Sequence, residues 1–212
     1  MDLYQSLVNK YGYDEPIFME DLKKEIDFLK PDALRQSLKR MVDNEKICRY
    51  KDGIYFIPNP KSILKSRTLS VNKIINKKYL YNKNQRIGYT TGLSFANLLK
   101  LTTQNPGMIE IVTAAEKSAI RIVHFNKRKV ALRKSRVEIN NDNYKLLQVL
   151  DLLTNFDRLS TKPISIASKN ILEYLSDVKI TKEQLNKYLK NYPTKTSKNL
   201  IESELYDVLT QR

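Results

Sequence analysis

Behind Pro31, the residues Leu34, Leu38, Met41 and Val42 fall at i, i+4, i+7 and i+8 relative to Leu34, which is the spacing of one apolar stripe on a helix. Proline suits the first position of such a helix, because the N–H it lacks would be unsatisfied there. At 100° per residue the opposite side carries Asp32, Gln36, Lys39, Arg40 and Asp43, with Arg35 on its flank. Met19 to Phe28 predicts a shorter helix whose Leu22 and Ile26 can pack on that stripe. Leu29-Lys30-Pro31 is then a tight connection, since Pro31 turns Lys30 away from helical geometry. From Ile47 to Ile57 the pattern loosens into a period of two around Asp52-Gly53, a strong hairpin signal. Ile47, Ile54 and Phe56 are available to a core, and Arg49 and Lys51 sit near the tip. Asp2 to Tyr11 supplies another helix, capped by Asp2 and ended by Gly12. Glu15 to Pro58 reads as a winged helix-turn-helix, and Asp2 to Tyr11 supplies the third helix it needs. Pro58-Asn59-Pro60 denies further ladder donors and closes the domain.

Beyond Lys61, Val71, Ile74, Ile75, Tyr79 and Leu80 form a helical stripe reaching about Tyr81. Ser94 is a fair N-cap for a short helix from Phe95 to Lys100, and Asn105-Pro106-Gly107 is a turn. Met108–Thr113, Ala119–Phe125 and Lys129–Arg133 are β-rich runs expected to form a small antiparallel sheet. Asn143 to Phe156 is apolar over more than half its circumference, the mark of a buried helix. Amphipathic helices follow over Ser165–Ser176, Thr181–Tyr192 and Ser197–Gln211, the middle one opening on a capping box from Thr181 to Gln184. The last is expected to dock on its own domain rather than on a partner. The fold class is therefore α+β: a winged helix-turn-helix DNA-binding domain over 1–60, then a basic mixed domain over 61–212 with a small sheet and C-terminal helices.

Charge narrows the partners. The chain has a formal net charge of +15 and a pI near 9.7, which points to a polyanion or an acidic protein. Residues 1–60 hold 10 Lys and Arg against 11 Asp and Glu, whereas residues 61–100 hold 9 against none. In the first segment the charges are segregated. Glu15, Glu20, Asp21, Glu25 and Asp27 lie on or before the second helix, away from the cations of the third helix and hairpin. Lys outnumbers Arg 27 to 11, the usage of an AT-rich genome, which carries a share of the excess.

Candidate DNA contacts are Lys30, Arg35, Gln36, Lys39, Arg40, Arg49 and Lys51. Arg35 and Gln36 are suited to base edges, and Lys39, Arg40, Arg49 and Lys51 to phosphates. Lys73, Lys77 and Lys78, on the helix after the boundary, either line DNA beside the hairpin or form a solvated face.

Reaction chemistry is missing from the pattern. His124 is the one histidine; it lies in an apolar strand without metal-ligand spacing and reads as a packed residue. Five glycines build no phosphate loop, so neither catalysis nor a cofactor nor a metal is expected. Cys48, the single cysteine, reads as a small core residue and excludes an internal disulfide. Without an apolar run of membrane-spanning length, the expectation is a soluble cytoplasmic protein.

Tyr89-Thr90-Thr91-Gly92-Leu93-Ser94-Phe95-Ala96-Asn97, then Leu101-Thr102-Thr103-Gln104-Asn105-Pro106 and Glu110-Ile111-Val112-Thr113, form a combined pattern. Together with an N-terminal winged helix it resembles the AbiEi family of antitoxins from bacterial abortive-infection toxin–antitoxin systems. The likeness covers about residues 1–136, and the later helices in outline. Lys100 stands where that pattern has Gly, and Ala114 where it commonly has Asn. The resemblance implies an autoregulating repressor that binds inverted repeats in double-stranded operator DNA. It also implies a second domain that counteracts a nucleotidyltransferase-like toxin in phage defence, with Thr103 and Gln104 as candidate partner or accessory DNA contacts beside Lys73, Lys77 and Lys78. The near-neutral charge of residues 1–60 supports another reading. The winged helix would then be a docking module, and the basic segment would meet an acidic protein or RNA without sequence-specific DNA binding.

Overall fold

The computed structural model describes residues 2–62 and 68–211, which divide into two compact units, residues 1–77 and 78–212. The first unit opens with helix α1 (Leu3–Tyr11). The Tyr4 amide donates to the Asp2 carboxylate at 3.4 Å, and Gly12 ends the helix at φ 73°. A two-residue strand β1 (Ile17–Phe18) leads directly into α2 (Met19–Glu25), which stops three residues before Phe28. Helix α3 (Pro31–Asp43) begins on its proline as expected, and the hairpin comprises β2 (Cys48–Lys51) and β3 (Ile54–Phe56).

The three strands form one antiparallel sheet in the order β1-β3-β2, an arrangement compatible with a winged helix-turn-helix. Leu34 and Leu38 of α3 are fully buried with Leu3, Leu7, Ile17, Leu22, Ile47, Tyr55 and Ile57, while Met41 and Val42 pack at the edge of this core. Burying each leucine stabilises by roughly 1.5–3 kcal/mol. That energy holds α3 with its apolar stripe inward. Cys48 is half-buried.

The unit does not end at Pro60. Helix α4 (Val71–Ile75) runs into a π-helical turn over Asn76–Leu80, and Ile74, Ile75, Tyr79 and Leu80 are buried as the stripe requires. Two lysines tie this segment to the unit: Lys73 Nζ donates to Glu15 Oε1 at 2.6 Å and to the Asp14 carbonyl at 2.9 Å, and Lys77 Nζ donates to the Pro16 carbonyl at 2.7 Å.

The second unit carries a small hairpin, β4 (Tyr81–Asn82) with β5 (Gln85–Arg86), and a four-stranded sheet. The sheet's members are β6 (Gly88–Thr91), β7 (Ile109–Thr113), β8 (Arg121–Phe125) and β9 (Arg128–Lys134), in the order β6-β7-β9-β8. Its outer pairs are antiparallel as expected. The central pair, β7 with β9, is parallel, and this corrects the purely antiparallel sheet read from the sequence.

Helix α5 (Gly92–Leu98) starts earlier than Ser94 because Gly92, at φ 66°, turns the chain straight from β6 into the helix. A Cβ on Gly92 would lie 2.3 Å from the Glu110 carboxylate, and one on Gly88 would lie 2.1 Å from the Tyr79 carbonyl. Both positions therefore exclude a side chain.

Helix α6 (Tyr144–Thr154) is the buried centre, its Leu146, Leu147, Val149, Leu150, Leu152 and Leu153 forming the core with Tyr89, Phe95, Leu101 and Val112. Then come α7 (Phe156–Leu159), α8 (Ile164–Tyr174) and α9 (Lys182–Leu189), the last with both halves of the expected capping box. The expected terminal helix is divided into α10 (Thr194–Glu202) and α11 (Leu205–Thr210) by Glu204 at φ 59°. Leu200, Leu205 and Leu209 enter the core of this same unit. His124 is exposed, contrary to the packed position read for it, because Phe125 takes the buried place on β8.

Candidate nucleic-acid interface

Turning the leucines of α3 inward leaves Arg35, Gln36, Lys39 and Arg40 exposed. The hairpin stands beside this helix because the Met19 amide donates to the Gly53 carbonyl at 2.9 Å, pinning the Asp52-Gly53 turn to the start of α2. Gly53 has φ 73°, a value the turn needs and glycine adopts freely. Between helix and hairpin lies a groove of about 430 Å³ lined by Met19, Arg35, Lys39, Val42, Asp43, Arg49, Gly53 and Tyr55. Three of the six cations expected to touch DNA thus share one concave surface. Met19 and Tyr55 were not singled out by the sequence, in which they are simply an apolar helix start and a strand residue.

Two of these cations hold neighbouring acids. Arg35 Nη1 is 2.8 Å from Asp32 Oδ1, and Arg49 Nη2 is 2.7 Å from Asp52 Oδ1, both pairs exposed. Exposed pairs of this kind stabilise by at most about 1 kcal/mol, so a phosphate can displace the carboxylate at little cost. Lys30, at the N-terminal end of α3, and Lys51, on β2, are also exposed. Charge in the unit favours an anion once its true extent is counted. Residues 1–77 hold 15 Lys and Arg against 11 Asp and Glu, net +4. Two of the acids are also occupied. Glu25 accepts from the Tyr11 hydroxyl and pairs with Lys10 at 3.0 Å, while Glu15 is taken by Lys73.

Lys73 and Lys77 therefore do not line an outward basic face. They are half-buried, with Lys77 Nζ also 4.6 Å from the centre of the Tyr11 ring. Burial lowers the Lys77 ammonium's pKa below its ordinary value, against the raising effect of Asp21, Glu15 and Glu25. Lys78 is half-buried at the start of the second unit. Thr103 and Gln104 are exposed in a loop of that unit; the Asn97 side chain donates to the Gln104 carbonyl at 2.8 Å, and the Gln104 amide donates to Thr102 Oγ1 at 3.2 Å. No cluster of three or more metal-ligating side chains occurs among the described residues, and no helix among them is long and apolar enough to cross a membrane.

Fold and site together define a two-unit α+β protein presenting a helix and a hairpin around a cationic groove. Residues 13–158 match the model of a family of unknown function, DUF6088, and the chain belongs to that family. The match spans α2, α3, the hairpin, the four-stranded sheet and α6. The chain is also similar to a protein of Paraclostridium sordellii named RNA polymerase sigma factor TcsR. The two are 26% identical over 163 residues, which cover 73% of this chain and 87% of that protein.

Proposed function

We propose that the chain is a DNA-binding transcriptional regulator that reads duplex DNA with α3 and holds its backbone with the hairpin. The observation that carries this reading is the groove in which Arg35, Lys39 and Arg49 converge from two elements. A helix of ordinary diameter fits a B-DNA major groove about 12 Å wide, with Gln36 suited to adenine and Arg35 to guanine. Lys39, Arg40, Arg49 and Lys51 then meet phosphates on either side. The similarity to a protein named as a sigma factor favours a role in transcription over RNA binding.

More finely, we infer an antitoxin that represses its own operon, on the resemblance of the Tyr89–Asn97 and Leu101–Pro106 segments to AbiEi antitoxins. In that reading the operator is an inverted repeat, and the second unit opposes a nucleotidyltransferase-like toxin encoded beside it. No residue set in the second unit is assigned a reaction, and the chain acts by binding. A mobility-shift titration with duplex from upstream of the gene tests the DNA step. Arg35→Ala should cost about 1–3 kcal/mol and relax specificity at one base pair, while Lys39→Ala weakens all sequences alike. If the double substitution Arg35→Ala and Lys39→Ala leaves affinity unchanged, α3 is not the reading element. Induction of the neighbouring gene with and without this chain tests the antitoxin step, growth rescue being the expected result.

A further inference from the structure

The second unit contains a cavity that the helix–hairpin reading leaves unused. It measures about 340 Å³, within the range of small-molecule sites, and draws its lining from segments far apart in the chain. Glu110 comes from β7, Arg133 and Lys134 from the end of β9, Arg136 from the segment after it, Asp151 from α6 and Arg158 from α7. Four cations against two acids leave the lining at net +2.

The carboxylates of the lining are more fully engaged in hydrogen bonds than its guanidiniums. Glu110 Oε2 accepts from Arg133 Nη2 at 2.7 Å, and Asp151 Oδ2 accepts from the Tyr89 hydroxyl at 2.6 Å. Each guanidinium, by contrast, offers five N–H donors. Arg158 Nη2 stays 4.0 Å from Glu110 Oε1, and Arg136 Nε stays 4.0 Å from Asp151 Oδ1, both beyond hydrogen-bond reach. Arg136 Nη1 has a long bond to the Asn191 carbonyl at 3.4 Å. Arg133 Nε is buried with no hydrogen-bond partner among the described residues. A buried donor left without an acceptor costs about 1–3 kcal/mol, more when charged, so such a group marks a place where an acceptor belongs.

We infer that this cavity binds a phosphate ester carried by a small molecule, with Arg133, Arg136 and Arg158 donating to the phosphoryl oxygens. A carboxylate ligand has two oxygens and is satisfied by one guanidinium fork, whereas a phosphate monoester offers three terminal oxygens. Its charge of about −1.5 to −2 near neutral pH nearly balances the lining. Val112 and Leu159 supply an apolar wall for the remainder of the molecule, which the volume limits to about the size of a mononucleotide. Backbone phosphates of a duplex lie on a convex surface and would reach only the rim.

Isothermal titration calorimetry on the full chain tests the assignment, with inorganic phosphate, pyrophosphate, AMP, GMP and adenosine as separate probes. At least one phosphate-bearing probe should bind while adenosine does not. Arg158→Gln and Arg136→Gln should each weaken that binding by about tenfold or more, the loss of one charge-assisted hydrogen bond, with an unchanged circular dichroism spectrum. The inference is overturned if no phosphate probe binds, or if both variants bind as the parent does. Each readout is independent of α3, so this inference and the DNA reading fail separately.

Discussion

Replacing Asp151 with asparagine isolates the cost of a buried charge. Its side chain is 14% exposed, and burial raises the carboxyl from its ordinary value of 3.8 to about 6, against the lowering influence of the Tyr89 hydroxyl, Arg136 and Arg133. A folded value above the unfolded one means that the folded protein binds the proton more tightly. Stability from this group is therefore complete below about pH 4 and is lost as pH rises through 6. About two units of difference at 1.36 kcal/mol each place the loss at roughly 3 kcal/mol above pH 7, with about half of it already present at pH 5. Asparagine keeps an oxygen to accept from Tyr89 and carries no charge. Asp151→Asn should accordingly be more stable than the parent by about 1–3 kcal/mol at pH 7.5, and the advantage should shrink toward zero by pH 4. Urea denaturation followed by circular dichroism at pH 4, 5, 6 and 7.5 measures the difference. A difference that is constant across this range, or a parent more stable at pH 7.5, would refute the reasoning.

Two glycine-related substitutions probe the turn on either side of α5. Gly92→Ala forces a Cβ to 2.3 Å from a Glu110 carboxylate that Arg133 holds in place, at a positive φ, and should destabilise by more than about 2 kcal/mol in urea denaturation. Lys100 has φ 56° just past the end of α5, where its amide donates to the Asn97 carbonyl at 2.9 Å and that of Leu101 to the Ala96 carbonyl at 2.9 Å. This is the glycine position of a helix C-cap, so Lys100→Gly should stabilise by about 0.5–1 kcal/mol in the same assay, and a net loss would contradict it.

The parts of the fold that were legible in sequence are those set by short-range rules. Pro31 located the start of α3 and the Leu34–Val42 stripe its buried face, Asp52-Gly53 located the hairpin, and Thr181 with Gln184 announced a capping box that both side chains form. Strand β1 was missed because two residues carry no period, and β6 because its first residue, Gly88, looks like a turn. Gly88 is instead demanded by the approach of the Tyr79 carbonyl. The direction of the β7–β9 pair leaves no trace in either strand's pattern. At the candidate site, exposure of Gln36, Lys39 and Arg40 followed from periodicity alone. The inward turn of Lys73 and Lys77 did not, since Glu15 and the Pro16 carbonyl lie some sixty residues earlier. The cavity was invisible for the same reason. Arg133, Asp151 and Arg158 become neighbours only after the sheet and α6 have packed.

The affinity of the full chain for duplex from upstream of its own gene, measured by fluorescence anisotropy in direct competition with unrelated duplex at fixed physiological salt, bears most directly on whether α3 reads sequence. A specific regulator should prefer the upstream duplex by about a thousandfold or more. Equal displacement by both duplexes, or no binding to either, would contradict sequence-specific regulation through α3.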